Sequence, residues 1–150
     1  MKILITEKQY QSIIIENING YELLDKKYTP RYDNNKIIFL DPDKLLTQHT
    51  IDDPDFAIIN KKNQIGNRVE KAKEFLLKYL HDDSWEHPVS KKRSPSTKVT
   101  FEPSIAHIYD DKLSFTDGRH RILAAKELGL KLVPVEVPKD QVELFKTKFL

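Results

Sequence analysis

The sequence predicts a single α/β domain, and three stretches carry that expectation. Lys36–Ile37–Ile38–Phe39–Leu40 and Val133–Pro134–Val135–Glu136–Val137 are short apolar runs rich in β-branched residues, the pattern of buried strands. Val69, Ala72, Phe75, Leu76, Tyr79 and Leu80 recur at helical spacing along one face. Between them, Lys112–Leu113–Ser114–Phe115 alternates like a strand, runs into a turn at Gly118, and continues as a helix, Ile122–Leu123–Ala124–Ala125–Lys126–Glu127–Leu128, which Gly129 closes.

Taken in order, Met1–Ile5 reads as a strand. Thr6 and Gln9 stand at capping-box spacing before a helix with Tyr10, Ile13, Ile14 and Ile18 on one face, ended by Asn19–Gly20. Residues 25–36 are polar and contain Pro30, Asn34 and Asn35, a connecting loop or hairpin. Asp41–Pro42–Asp43 stops the strand at 36–40. Phe56–Ala57–Ile58–Ile59 reads as a buried turn or strand. Asn67 can cap the next helix, with Glu70 three residues on. Val99–Phe101 and Ile105–Tyr109 supply strand material, and Asp110–Asp111–Lys112 turns the second run back as a hairpin. Pro134 argues for an edge position or a strand start in the 133–137 strand. Pro138–Lys139–Asp140 opens a last helix that packs Val142, Phe145 and Phe149 inward.

Composition narrows the chemistry. The chain of 150 residues is long enough for one domain with a core. It has 25 basic and 23 acidic residues, so its net charge of +2 gives no argument for nucleic acid. Without cysteine there are no disulfides, thiolate metal sites or cysteine nucleophiles. No apolar run approaches the ~18 residues of a membrane span, and no signal-peptide pattern opens the chain, so a cytoplasmic protein is expected.

The candidate site is Thr116–Asp117–Gly118–Arg119–His120–Arg121. The first amides of a helix lack intrahelical acceptors, and the helix dipole favours an anion there. Backbone amides near Gly118 and Arg119 would hold a phosphate. Arg121 would neutralise it, and His120 would donate a hydrogen bond or move a proton. Asp117 could position a metal or a hydroxyl, or simply cap the helix. Arg68, at the start of another helix, is either a second arm on the same ligand or a plain surface residue. Lys91, Lys92, Arg93 and Lys98 lie in a Ser/Pro/Lys-rich segment that could close over phosphates, track DNA or RNA, or simply be solvated. Asp52, Asp53 and Asp55 fit no metal-loop signature and read as a solvated turn. His81 and His87 likewise lack ligand spacing, and His107 reads as a structural histidine.

Residues 113–125, with Leu128–Gly129–Leu130 and Val133–Val137, resemble the ParB/sulfiredoxin superfamily. There a strand enters a G-x-H-R or G-E-R-R turn, then an Ala-rich helix, a Gly stop and an I/V-P-V strand. The resemblance extends over residues 36–138 and implies a small ParB/sulfiredoxin-like domain at 36–150, with a mixed sheet and a phosphate-binding helix N-terminus. Residues 1–35 become a strand–helix extension, and its opening resembles N-termini on proteins of large tailed phages. In this fold a short helical turn comes after the first strand.

The family's chemistries include a CTPase, sulfiredoxin, a serine kinase and ParB-like nucleases. Lack of cysteine removes the sulfiredoxin reaction. No E-N-x-x-R segment or helix-turn-helix follows the core, so a CTP-switched DNA clamp is not expected. Three functions stay open. One is a kinase or NTPase using a nucleotide with Mg²⁺. Another is a nuclease or nucleic-acid binder, and the third is a non-catalytic phage interaction protein. The oligomeric state is not specified.

Overall fold

The computed structural model describes Tyr28 and residues 30–57, 67–81 and 102–150. The expected strand and helix within 1–20, Ile58 and Ile59, the loop with His87, the basic segment 90–98 and the strand at 99–101 lie outside these residues. Nothing is assigned to the His81 side chain.

The described chain forms a four-stranded mixed sheet with four helices. The elements are β1 (Asn35–Leu40), α1 (Pro42–Asp52), α2 (Arg68–His81), β2 (Ser104–Tyr109), β3 (Lys112–Asp117), α3 (Arg119–Glu127), β4 (Val133–Pro138) and α4 (Val142–Phe149). Strand order is β1-β4-β2-β3. The β1/β4 and β2/β3 pairs are antiparallel, and β2/β4 is parallel. The small mixed α/β domain expected from the sequence is therefore present.

Helix α1 departs from expectation. Asp41–Pro42–Asp43 does more than end a strand: it opens a helix of 11 residues rather than a short turn. The Asp41 carboxylate accepts hydrogen bonds from the amides of Asp43 and Lys44 at 2.8 and 3.4 Å, and Pro42 occupies the first turn, where its missing N–H costs nothing. Its apolar stripe is thin: Leu45, Leu46 and His49 are its inward residues after Pro42.

Pro134 is not on an edge strand. β4 lies between β1 and β2, and the strand-start alternative applies instead. Pro134 is the second residue of β4, and pairing with β2 begins one residue later, at Ser104↔Val135. The lost donor thus falls outside the β2 ladder. Five consecutive residues of β4, 133–137, are buried, so both of its faces are covered.

The β2/β3 hairpin turns at Asp110 and Asp111, with φ of 54° and 61°, the left-handed pair that a tight two-residue turn needs. A register shift between Ile105 and Ala106 leaves Thr116 as an extra residue opposite them. Such bulges re-aim a strand end, and this one delivers Asp117 to the mouth of the site. Helix α3 ends as expected: Gly129 has φ 79°, and the Leu130 amide donates to Ala125 O at 3.0 Å.

The core is one cluster. Ile38, Leu40, Leu45, Leu76, Leu113, Ile122, Val133, Val135 and Phe145 are all at or near zero exposure. Each such side chain contributes about 1.5–3 kcal/mol by leaving water. Ile122–Ala125 are four buried residues in a row, because α3 is wedged between α1 and α2. Helix α4 packs on β1 and β4 through Val142, Phe145 and Phe149. The Gln141 side chain bonds both the amide and the carbonyl of Ile108, at 2.9 and 2.8 Å, extending the β2 ladder beyond β4.

The buried titratable groups include a histidine. His49 is 2% exposed, stacks edge-on against Phe115 at 5.0 Å, and has the Asp53 carboxylate 3.9 Å from Nε2. Burial lowers its pKa, Asp53 and Asp52 oppose that, and Arg119 adds to it. The unfolded chain therefore takes up this proton before the folded one does. Stability is full above the ordinary imidazole value of 6.5 and falls as the pH drops through the folded value. Urea midpoints should decline as the pH is lowered below 6.5, and His49→Leu should flatten part of that slope.

Candidate functional site

The α3 turn is built on a close approach. Gly118 has φ 90° and serves as the N-cap of α3. A Cβ there would stand 2.6 Å from Ser104 Oγ, 2.8 Å from Ser104 Cα and 2.8 Å from an Arg121 guanidinium nitrogen. Buried Ser104 locks the turn by donating its hydroxyl to Gly118 O at 2.8 Å. The same carbonyl accepts from the amides of Arg121 and Ile122. The amides of Arg119 and His120 are left without intrahelical acceptors. Asp117 is therefore not the helix cap; it is the last residue of β3, and its side chain is used otherwise.

A cleft of about 230 Å³ opens beside this turn, lined by Gly118, His120, Arg121, Asp117 and Glu102 on one side. Asn67 and, from α2, Arg68, Lys71, Ala72 and Phe75 form the other. The carbonyl of Asn67 accepts the first bond of α2, from the Lys71 amide at 2.9 Å, so the cleft also meets the N-terminus of α2. Two positive helix ends thus converge on one space. Gly118, His120, Arg121, Asp117 and Arg68 come together as the sequence suggested. Arg119 is not among the residues that line the cleft. Its guanidinium turns away, donates to Phe56 O at 2.8 Å and lies over the Phe56 ring.

Arg121 is built into the wall. It donates to Pro103 O at 3.2 Å, Glu102 Oε2 at 3.4 Å and Asp117 Oδ2 at 3.5 Å. Arg31 reaches the same two carboxylates, Asp117 at 3.2 Å and Glu102 at 3.4 Å. The result is a box of two arginines and two acids. Burial works to raise the Asp117 pKa, but Arg121 and Arg31 outweigh it and hold the carboxyl below its usual range. These acids are already charge-matched, which does not suit them as ligands of Mg²⁺. Among the described residues, no group of three or more His, Asp or Glu could hold a metal.

His120 has the opposite environment. Its Nε2 is buried and has no hydrogen-bond partner among the described residues. Burial lowers its pKa, and Arg68, Arg119 and Arg121 add to the effect against Asp117. It is a neutral imidazole at pH 7, able to give or take a proton.

Arg31, Glu102, Lys71 and Ser104 were missed in the sequence. Lys71 was legible, one helical turn after Arg68. Arg31 and Glu102 lie 86 and 15 residues from Asp117 in loops, and no local pattern joins them to the motif. Lys91, Lys92, Arg93 and Lys98 are outside the described residues. The acidic turn is structural in part, because Asp52 accepts from the Leu113 amide at 2.8 Å and so ties α1 to β3. His107 is half-buried on β2, with Thr116 Oγ1 3.5 Å away.

Comparisons with protein-family models, curated proteins and solved structures return no match. Among the described residues no helix is long and apolar enough to cross a membrane.

Gly118→Ala should cost about 1–3 kcal/mol in denaturant unfolding, because strained φ and a clash with backbone add together. Gly129→Ala has the strained φ without the clash, nothing lying within 4 Å, and should cost less.

Proposed function

We propose that the cleft binds a phosphate-bearing ligand, a nucleotide, at the N-terminus of α3 in a ParB/sulfiredoxin-like domain. One observation carries this reading: the N-terminal residues of α2 and α3 line the same cleft, with Arg68 and Lys71 exposed. The amides of Arg119 and His120 are the phosphate donors, and Arg68 is the second arm. The ligand's nucleoside packs against Ala72 and Phe75. Within the kinase or NTPase version, His120 moves the proton, and Mg²⁺ travels on the ligand's own phosphates. A cytoplasmic setting fits such a ligand.

A non-catalytic interaction protein is the second reading. The Arg31–Asp117–Arg121–Glu102 box favours it, since ion pairs of that kind also serve to fix a fold.

Thermal unfolding with a panel of ribonucleotides and Mg²⁺ tests the proposal. A ligand at about 100 times its Kd adds roughly 2.7 kcal/mol, or several degrees of Tm. The expected result is a shift in the wild type that the double variant Arg68→Ala/Lys71→Ala loses. Absence of any shift, or an undiminished shift in the variant, contradicts the site. Turnover that falls about a hundredfold in His120→Gln, with binding kept, supports the enzyme. Binding without turnover supports the interaction protein.

A further inference from the structure

We propose that Arg31 is the specificity-determining residue of the cleft: by charge-matching Asp117 and Glu102 it makes the site accept anions and refuse cations. The proposal deepens the phosphate-binding reading and rests on it. Arg121 also meets both carboxylates of the cleft wall, with Arg68 and Lys71 across the space. Arg31 is a fourth cation, and it comes from a loop outside the motif.

The geometry sets Arg31 apart from an ordinary surface arginine, whose ion pairs contribute little. First, its fork spans both acids. One nitrogen is 3.2 Å from Asp117 Oδ2 and the other is 3.4 Å from Glu102 Oε2, the same two oxygens that Arg121 uses. Second, its backbone is clamped from below. Glu136, 2% exposed in the central strand, accepts from the Arg31 amide at 2.6 Å, the Tyr32 amide at 3.3 Å and the Asn35 side chain at 2.8 Å. A buried carboxylate needs such donors, and here all three come from residues 31–35. Glu136 is thus a positioning residue. It fixes the loop at the height where Arg31 meets the acids. The Arg31 side chain keeps 38% exposure and pairs with two acids that line the cleft, so it acts on an incoming ligand through their charge.

The test uses Arg31→Gln, which keeps a hydrogen-bonding side chain and removes the charge, and Arg31→Lys, which keeps the charge. Calorimetry with pyrophosphate reads the anion. Paramagnetic broadening of the Asp117 and Gly118 amides by Mn²⁺ reads the cation. Arg31→Gln should bind pyrophosphate about tenfold more weakly than wild type and acquire Mn²⁺ broadening; Arg31→Lys should behave as wild type in both. Wild-type pyrophosphate affinity in Arg31→Gln overturns the proposal. So does weakened affinity without Mn²⁺ broadening, because a displaced loop alone would produce it. A wild type that binds no pyrophosphate counts against the phosphate reading itself, and the Mn²⁺ arm then still decides the charge role of Arg31. A loosened clamp, Glu136→Gln, should reproduce part of the Arg31→Gln loss.

Discussion

The approach of Gly118 to Ser104 is the constraint on which the site depends. With φ at 90° and no room for a Cβ, the chain can leave β3, turn under the Ser104 hydroxyl and start α3 within one residue. That short turn leaves the α3 amides facing outward rather than folded into a longer loop. It also brings the Arg121 guanidinium back across its own helix start, where Asp117, one residue before the glycine, can meet it. The bulge at Thr116 and the parallel β2/β4 pairing set the height of this turn against the rest of the sheet. Because α3 is buried on almost every side between α1 and α2, its N-terminus has little freedom to drift.

Charge in the cleft is arranged in two layers. The inner layer is the four-membered box, where each acid meets two arginines and the charges cancel locally. The outer layer is Arg68, Lys71 and two helix ends. His120 lies between them as an uncharged group, kept so by burial and by the surrounding arginines. An anion entering this space meets positive potential and a neutral imidazole, without first having to displace a carboxylate. The buried Glu136 extends the arrangement through the sheet, tying the 31–35 loop to the strand that also holds the core valines Val133, Val135 and Val137.

How much could be read from the sequence differed by element. The strand–turn–helix at 112–128 was legible because its signals are local: alternation, a glycine, and apolar helix positions. The helix from 68 was legible from its 3.6-residue periodicity. Helix α1 was not, since its inward face holds little beyond Leu45, Leu46 and a histidine, and Asp41–Pro42 signals a strand stop as well as a helix start. Pro134 left an edge position and a strand start open, and the choice between them is a fact of tertiary register, since pairing with β2 begins just after it. In the site, the motif residues were legible and their partners were not. Asp117 could be a cap or a ligand, and the fold instead ion-pairs it with Arg121, four residues on, and with Arg31, distant in the chain. The orientation of Arg119 toward Phe56 likewise depends on a turn 63 residues away.

The most direct measurement is an amide NMR titration of the protein with a nucleoside triphosphate. The largest shifts should fall on the amides of Gly118, Arg119 and His120, with Asn67 and Arg68 moving at the same ligand concentration, because the two helix ends would share one ligand. Shifts confined to other surfaces, or no shift at these five amides at saturating ligand, would contradict a shared phosphate site.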